Sequence, residues 1–331
     1  MEAYSTDEIP VGPEWQYEPK WDGFRCIVFR NQQEVFLQSK AGQPLARYFP
    51  DVVEQLQTIK ARRFVLDGEL AIPIGKVLSF DELQLRLHPA ASRVQKLATA
   101  HPALFIVFDL LADTRSESLL ALPLGERRKR LEAFLRENVK PKSRVRLSPA
   151  TTKLETAKKW FKKAGGNLDG LIAKRIDAPY ASGERTAVAK IKQIRTADCV
   201  VGGFRYATGS SLLGSLLLGL YDDAGLLHHV GFSSAFKAGE RPGLTKKFEA
   251  LKKEPGFTGN APGGPSRWST ERSGEWVAVD PKLVVEVTYD HFTGGRFRHG
   301  TRIVRWRPDK LPRQCKLDQV KHREGKSLAL L

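Results

Sequence analysis

Along the N-terminal part of the chain, short apolar runs alternate with turn residues and with stretches of helical period. Residues 26–29 and 35–37 are apolar and flank Asn31, Gln32 and Gln33, the arrangement of a hairpin. Pro50 opens a helix with Val52, Val53, Leu56 and Ile59 on one face. Residues 64–70 and 104–111 read as buried strands. Residues 126–134 and 153–163 read as basic amphipathic helices, and residues 168–173 return to strand character. The mixture predicts an α+β domain.

After Lys192 the pattern changes. Residues 199–206, 215–221 and 226–233 are short apolar strands, with turn residues at 222–225. A basic helix at 244–252, a Gly/Pro-rich loop at 256–265, and strands at 283–289 and 301–307 follow. About five strands with one inserted helix fit a small closed barrel of the OB type, and also a sandwich. The boundary falls between 193 and 197, giving domains of residues 1–195 and 196–331.

Composition narrows the function. The 331 residues carry a net charge of +17, and a domain this basic meets a polyanion, nucleic acid first and an anionic membrane surface second. Hydrophobic residues at 41% allow a core, and charged residues at 27% argue against a membrane protein. Cys26, Cys199 and Cys315 form neither a CxxC pair nor a disulfide framework, which suits a reducing compartment. With an acidic, polar start and no long apolar run, the expectation is a cytoplasmic monomer with no membrane partner.

Five segments carry candidate chemistry. Glu18-Pro19-Lys20-Trp21-Asp22-Gly23-Phe24-Arg25 reads as strand, tight Asp-Gly turn and strand, with Lys20 at the turn. A lysine is nucleophilic only when neutral, and burial or nearby cations such as Arg25 lower its pKa. Alone, the bland alternative of a surface lysine wins. Residues 65–70 put Glu69 at the end of an apolar strand, where it can accept a ribose hydroxyl or hold a metal. Residues 105–110 offer Phe108 for stacking on a base, although a lone Phe is more often core. Residues 168–174 pair Asp169, a possible Mg²⁺ ligand, with a turn glycine. Lys190-Ile191-Lys192 alternates as a strand does, so both ammonium groups face one side and a phosphate is the natural guest.

In this order and spacing the segments resemble the covalent nucleotidyltransferase superfamily of DNA ligases, RNA ligases and mRNA capping enzymes. The phrases EPKWDGFR and RWRPDK are similar to the small bacterial ligase C type and to the ligase part of bacterial ligase D. The resemblance covers nearly the whole chain. It implies an adenylation domain followed by an OB domain, ATP with Mg²⁺ or Mn²⁺ as cofactors, nicked duplex DNA as substrate, and a role in repair alongside repair proteins. Residue by residue it implies Lys20 as the adenylylated nucleophile and Glu18 as an adenine reader. Arg25 and Glu69 contact the ribose, Phe108 stacks on adenine, and Lys174 joins the nucleotide site. Lys190 and Lys192 hold the α-phosphate, and Asp169 with Glu69 serves the metal. Arg298, Arg302, Arg305, Arg307, Asp309 and Lys310 fall where the family's last motif lies, and Arg305, Arg307 and Lys310 orient the leaving pyrophosphate. Two positions depart from the commoner pattern: Asp169 stands where Glu is frequent, and Lys40, expected at the nick 5′-phosphate, stands where Arg is frequent. Lys lacks the bidentate fork of Arg and acts as a point charge. Backbone contacts to DNA are expected among residues 127–130, 158–163, Arg205 and the basic stretch 310–326. The chain reads as a minimal two-domain enzyme, without a large DNA-binding domain before Lys20 and without a polymerase or nuclease module. The competing readings are a guanylyltransferase of the capping type and a non-catalytic OB-fold binder.

Overall fold

The computed structural model describes residues 1–163, 168–263, 275–321 and 327–331. The chain forms two compact units, Met1–Gln193 with Arg323–Leu331, and Ile194–His322.

The first unit is built on two sheets. In chain order its elements are β1 (Tyr4–Thr6), β2 (Trp15–Trp21), β3 (Phe24–Asn31), β4 (Glu34–Ser39), α1 (Pro50–Gln57), β5 (Arg63–Ala71), β6 (Pro73–Ile74) and β7 (Val77–Leu78). Then follow α2 (Phe80–Leu85), α3 (Ala91–Ala100), β8 (Leu104–Ala112), α4 (Leu124–Asn138), β9 (Val145–Leu147), α5 (Leu154–Lys163), β10 (Leu168–Arg175) and β11 (Val188–Lys192). One sheet runs β1-β11-β10-β2 and the other β4-β3-β5-β8-β9. The hairpin of β3 and β4 forms as the apolar pattern predicts. Helix α1 starts on Pro50 but stops at Gln57, so Ile59 is buried from the turn beyond it. Helices α2 and α3 have no counterpart in the sequence reading; Ser79 starts α2 by accepting the Glu82 amide at 3.2 Å.

Helix α4 corrects an expectation. Arg127 and Arg128 are buried and so do not form a DNA-facing surface. Arg127 makes two 2.9 Å bonds to Asp109, and Arg128 donates to the Ser148 carbonyl. A buried guanidinium is costly unless its donors are matched; the Arg127 fork meets that need and ties α4 to β8, while Arg128 reaches the carbonyl that follows β9 and leaves its Nη1 without a hydrogen bond.

The second unit contains β12 (Arg195–Tyr206), β13 (Leu213–Tyr221), β14 (Leu227–Ser233), α6 (Arg241–Glu249), β15 (Val277–Ala278), β16 (Val284–Tyr289), β17 (Phe292–Thr293), β18 (Arg296–Phe297) and β19 (Arg302–Trp306). Its main path is β14-β13-β12-β16-β19, all antiparallel, with β15 added on β12. Among the described residues a single parallel bridge, Ser233 to Thr301, links the end of β14 to the start of β19. The sheet is of the OB type, but its edges are joined by that bridge and not by a continuous ladder. Helix α6 begins three residues before the expected 244, because Pro242 sits in its first turn. The Gly/Pro-rich loop at 256–265 runs partly outside the described residues. Cys26, Cys199 and Cys315 are free and buried.

Candidate active site

Strand register brings the candidate residues together. Across β2, β10 and β11, Glu18 pairs with Ile172 and Ile172 with Lys190, while Lys20 pairs with Gly170 and Gly170 with Lys192. Side chains two apart share a face. Glu18 and Lys20 therefore project with Lys190 and Lys192 from one side of the sheet.

Gly170 permits this close row. Its φ is +135°, and a Cβ there would lie 1.9 Å from the Ile191 carbonyl oxygen. Only glycine tolerates both.

Two β-bulges place the remaining groups. The β2–β10 register skips Asp169, passing from Leu168–Trp21 to Gly170–Lys20. The β5–β8 register skips Phe108, passing from Asp67–Asp109 to Gly68–Val107. A bulged residue is released from the alternation and its side chain is re-aimed. Asp169 turns to Lys20 and forms an ion pair with it. Phe108 turns toward a cavity of about 690 Å³ whose wall includes Glu18, Lys20, Trp21, Arg25, Asp67, Glu69, Lys174 and Tyr180.

Charges in the cavity are matched in pairs. Glu18 is buried and accepts from Lys174 Nζ and Gln16 Nε2, each at 2.9 Å. Lys174 Nζ also lies 4.4 Å from the Phe108 ring centre. Arg25 makes a fork to the fully buried Asp67, at 3.1 and 2.7 Å, and donates to the Met1 carbonyl at 2.6 Å. Tyr180 donates to Asp67 at 2.8 Å. Burial works against the Arg25 charge, and Asp67 outweighs it, so its pKa rises. Glu69, with its side chain pointing into the same region, is pushed up by burial to about 8.

The electrostatics of Lys20 correct a sequence expectation. Burial disfavours its charge, but the ion pair and hydrogen bond with Asp169, aided by Glu69 and Asp22, win, and the pKa is raised. Nearby cations do not lower it, because the closest groups are acids. The cations are one step away. Burial lowers the Lys190 pKa, and Lys192, Lys20 and Lys40 push it the same way. Four lysines whose charges repel one another mark a place for an anion. Lys40 itself is exposed and lies 3.6 Å from Glu2.

Arg305, Arg307 and Lys310, from the chain's last motif, lie in the second unit, each paired with an acid there. Arg305 donates to Glu286 at 2.7 Å, Arg307 to Asp198 at 2.9 Å and to Asp309, and Lys310 to Asp198 at 2.6 Å. Asp198, which the sequence reading passes over, collects two of the three cations. Asp67 and Tyr180 were also passed over. Asp67 stands in the LDGEL phrase two places before Glu69, so a signal was present. Tyr180 lies in a loop with no pattern of its own.

Two carboxylates act on Lys20, Asp169 in contact with it and Glu69 from the cavity wall. Among the described residues no three metal-ligating side chains form a cluster. Such a donor set fits Mg²⁺, which takes one or two carboxylates and completes its shell with substrate phosphates and water.

Comparison with known proteins agrees with this geometry. A family profile described as "ATP dependent DNA ligase domain" matches residues 5–192, and one described as "ATP dependent DNA ligase C terminal region" matches residues 209–310. The chain is 43% identical to DNA ligase C2 of Mycolicibacterium smegmatis, over 97% of its own length and 93% of the relative's. It is 41% identical to DNA ligase C of Mycobacterium tuberculosis, over 97% and 92% respectively. A solved structure from a study of Lig E DNA ligases is similar in fold, with a TM-score of 0.55, 17% identity, and coverage of 89% of this chain and 93% of that one.

Proposed function

The chain belongs to the ATP-dependent DNA ligases, and from that premise we propose that it seals nicks in duplex DNA through an AMP carried on Lys20. The observation that supports this most directly is the placement of Lys20 on the cavity wall, in an ion pair with Asp169 and on the same sheet face as Lys190 and Lys192.

Three steps follow from the chemistry. The Lys20 amine attacks the α-phosphorus of ATP, a phosphoramide N–P bond forms, and the bond to the β-phosphate breaks to release pyrophosphate. The amine must first lose a proton, and Asp169 is the carboxylate in contact with it. The DNA 5′-phosphate then attacks the same phosphorus, and Lys20 leaves and takes up a proton, which its raised pKa favours. Last, the 3′-hydroxyl attacks the activated 5′-phosphate, forming the phosphodiester and releasing AMP.

Each wall residue has a part in this reading. Phe108 stacks on adenine. Glu18, with its two acceptor oxygens already oriented by Gln16 and Lys174, sits at the adenine edge. Arg25 and Glu69 meet the ribose, and Lys190 and Lys192 neutralise the α-phosphate as its charge grows. Arg305, Arg307 and Lys310 orient pyrophosphate in the first step, and Lys40 meets the nick phosphate. Asp169 and Glu69 would hold Mg²⁺, which would supply charge neutralisation at the phosphates. We place the protein in repair, in line with a relative 31% identical over 90% of this chain that is named a non-homologous end joining DNA repair protein, LigD of Mycobacterium tuberculosis.

Intact mass after incubation with Mg²⁺ and either ATP or GTP tests the reading, with Lys20→Ala as control. A gain of one AMP with ATP, absent in the control, supports it. A GMP adduct would favour capping chemistry. No adduct, in protein first stripped with pyrophosphate, would sink the transferase reading altogether.

A further inference from the structure

After leaving the second unit the chain returns to the first. Ser327–Leu331 belongs to the first unit by its contacts. Ser327–Leu330 forms a short 3₁₀ turn, closed by the Leu331 amide on the Leu328 carbonyl. Leu328, Leu330 and Leu331 pack on a cluster of Trp21, Ala71, Leu78, Leu104, Ile106 and Leu168.

The identity of those neighbours carries the argument. Trp21 follows Lys20 directly, and Leu168 precedes Asp169. The two are cross-strand partners at the edge of the bulge that releases Asp169. Trp21 is 4% exposed and Leu168 3%. The Trp21 indole is fixed from another side by a 2.9 Å bond to Ser148 Oγ. Ala71 extends the strand of Glu69, and Ile106 that of Phe108. The returning leucines thus close the apolar cluster that sets the backbone under both members of the Lys20–Asp169 pair.

We propose that residues 327–331 are a positioning element for the first chemical step. They act through Trp21 and Leu168 to hold Lys20 against Asp169 and facing the α-phosphate. Without them, Trp21 and Leu168 gain freedom, the bulge relaxes, and the amine loses its line of attack. Displacement of a reacting atom by about 1 Å is enough for a loss of up to about 100-fold. The inference rests on the proposal that Lys20 is the adenylylated residue.

The test uses the full chain with Leu328→Asp and Leu330→Asp together, and Leu328→Met with Leu330→Met as the conservative pair. Two reactions are followed separately: lysyl-AMP formation from ATP, and sealing of a nick that already carries the 5′-adenylate, which does not require attack by Lys20. The expected result is adenylation slowed about ten-fold or more in the Asp pair, pre-adenylated sealing within about two-fold of the unsubstituted protein, and adenylation restored in the Met pair. Parallel loss of both reactions would show a general loss of folded protein and overturn the proposal. Unchanged adenylation would overturn it equally. Absence of any adduct in the unsubstituted protein would instead strike at the function itself.

Discussion

The cations of the two units are held in different ways. In the first unit, Arg25 and Lys174 are locked to carboxylates that are themselves buried, Asp67 and Glu18. In the second, Arg307 and Lys310 share one buried acid, Asp198, with Arg307 also on Asp309, while Arg305 is itself 62% exposed on Glu286. A buried pair loses heavily when one partner goes, because the other charge is left without water or mate. An exposed pair exchanges partners at little cost. The first arrangement suits groups that must keep a fixed shape around a nucleotide. Arg305, exposed in the second unit, suits a group that leaves its acid for a phosphate and returns.

The comparison is broken most severely at Asp169. Asp169→Asn is expected to slow lysyl-AMP formation by about 100-fold or more, measured by single-turnover transfer from labelled ATP. The same change lowers the Lys20 pKa, so labelling of Lys20 by an amine-specific reagent at neutral pH should rise. A fall in both would show that Asp169 only supports the fold.

Asp67 comes next. Asp67→Ala strands Arg25 and the Tyr180 hydroxyl, and is expected to cost about 3 kcal/mol of stability, seen in urea unfolding. It should raise the KM for ATP more than it lowers the rate at saturation. If stability is unchanged, the Arg25–Asp67 pair is not the fixed element described above.

Glu69 sharpens the comparison through pH. Burial raises its pKa from the ordinary 4.5 to about 8. A raised value means that the folded state favours the proton. Its stabilising contribution is therefore complete below about pH 4.5 and is lost as pH rises through about 8. The melting temperature of the nucleotide-free protein should fall across that window, and Glu69→Gln should flatten the fall. An identical slope in the variant would assign the titration elsewhere.

The smallest effect is expected in the second unit. Glu286→Gln releases the exposed Arg305 from its acid and should leave the melting temperature within about 2 °C. The rate of the first step should stay within about two-fold. A large loss of stability would place Arg305 among the fixed cations after all.

Much of this was legible before the structure. Lys20, Lys190 and Lys192 lie on strands whose alternation is visible in the sequence, and that alternation assigns a face to each. Asp169 and Phe108 were legible as residue types but not as geometry, because a bulge overrides alternation and leaves no periodic trace. Arg127 and Arg128 misled the reading, since a basic helix face and a row of buried arginines look alike until Asp109 is seen opposite. Helices α2 and α3 escaped because their short apolar spacing is interrupted by Leu87, His88 and Pro89. Asp198 could be valued only once the fold brought Arg307 and Lys310 to it.

The three buried cysteines have a practical outcome. Burial raises the Cys315 thiol to about 12 and drives Cys26 and Cys199 upward as well. Reaction with maleimides and oxidants proceeds through the thiolate, which such thiols hardly form at neutral pH. The native chain is therefore quiet toward sulfur-directed probes, and a cysteine introduced at an exposed site, such as one in place of Val11 or Leu311, would take a fluorophore alone. Pairs of such dyes, one on each unit, would let the enzyme report its own movements while it turns over on a nick, with no native cysteine removed first.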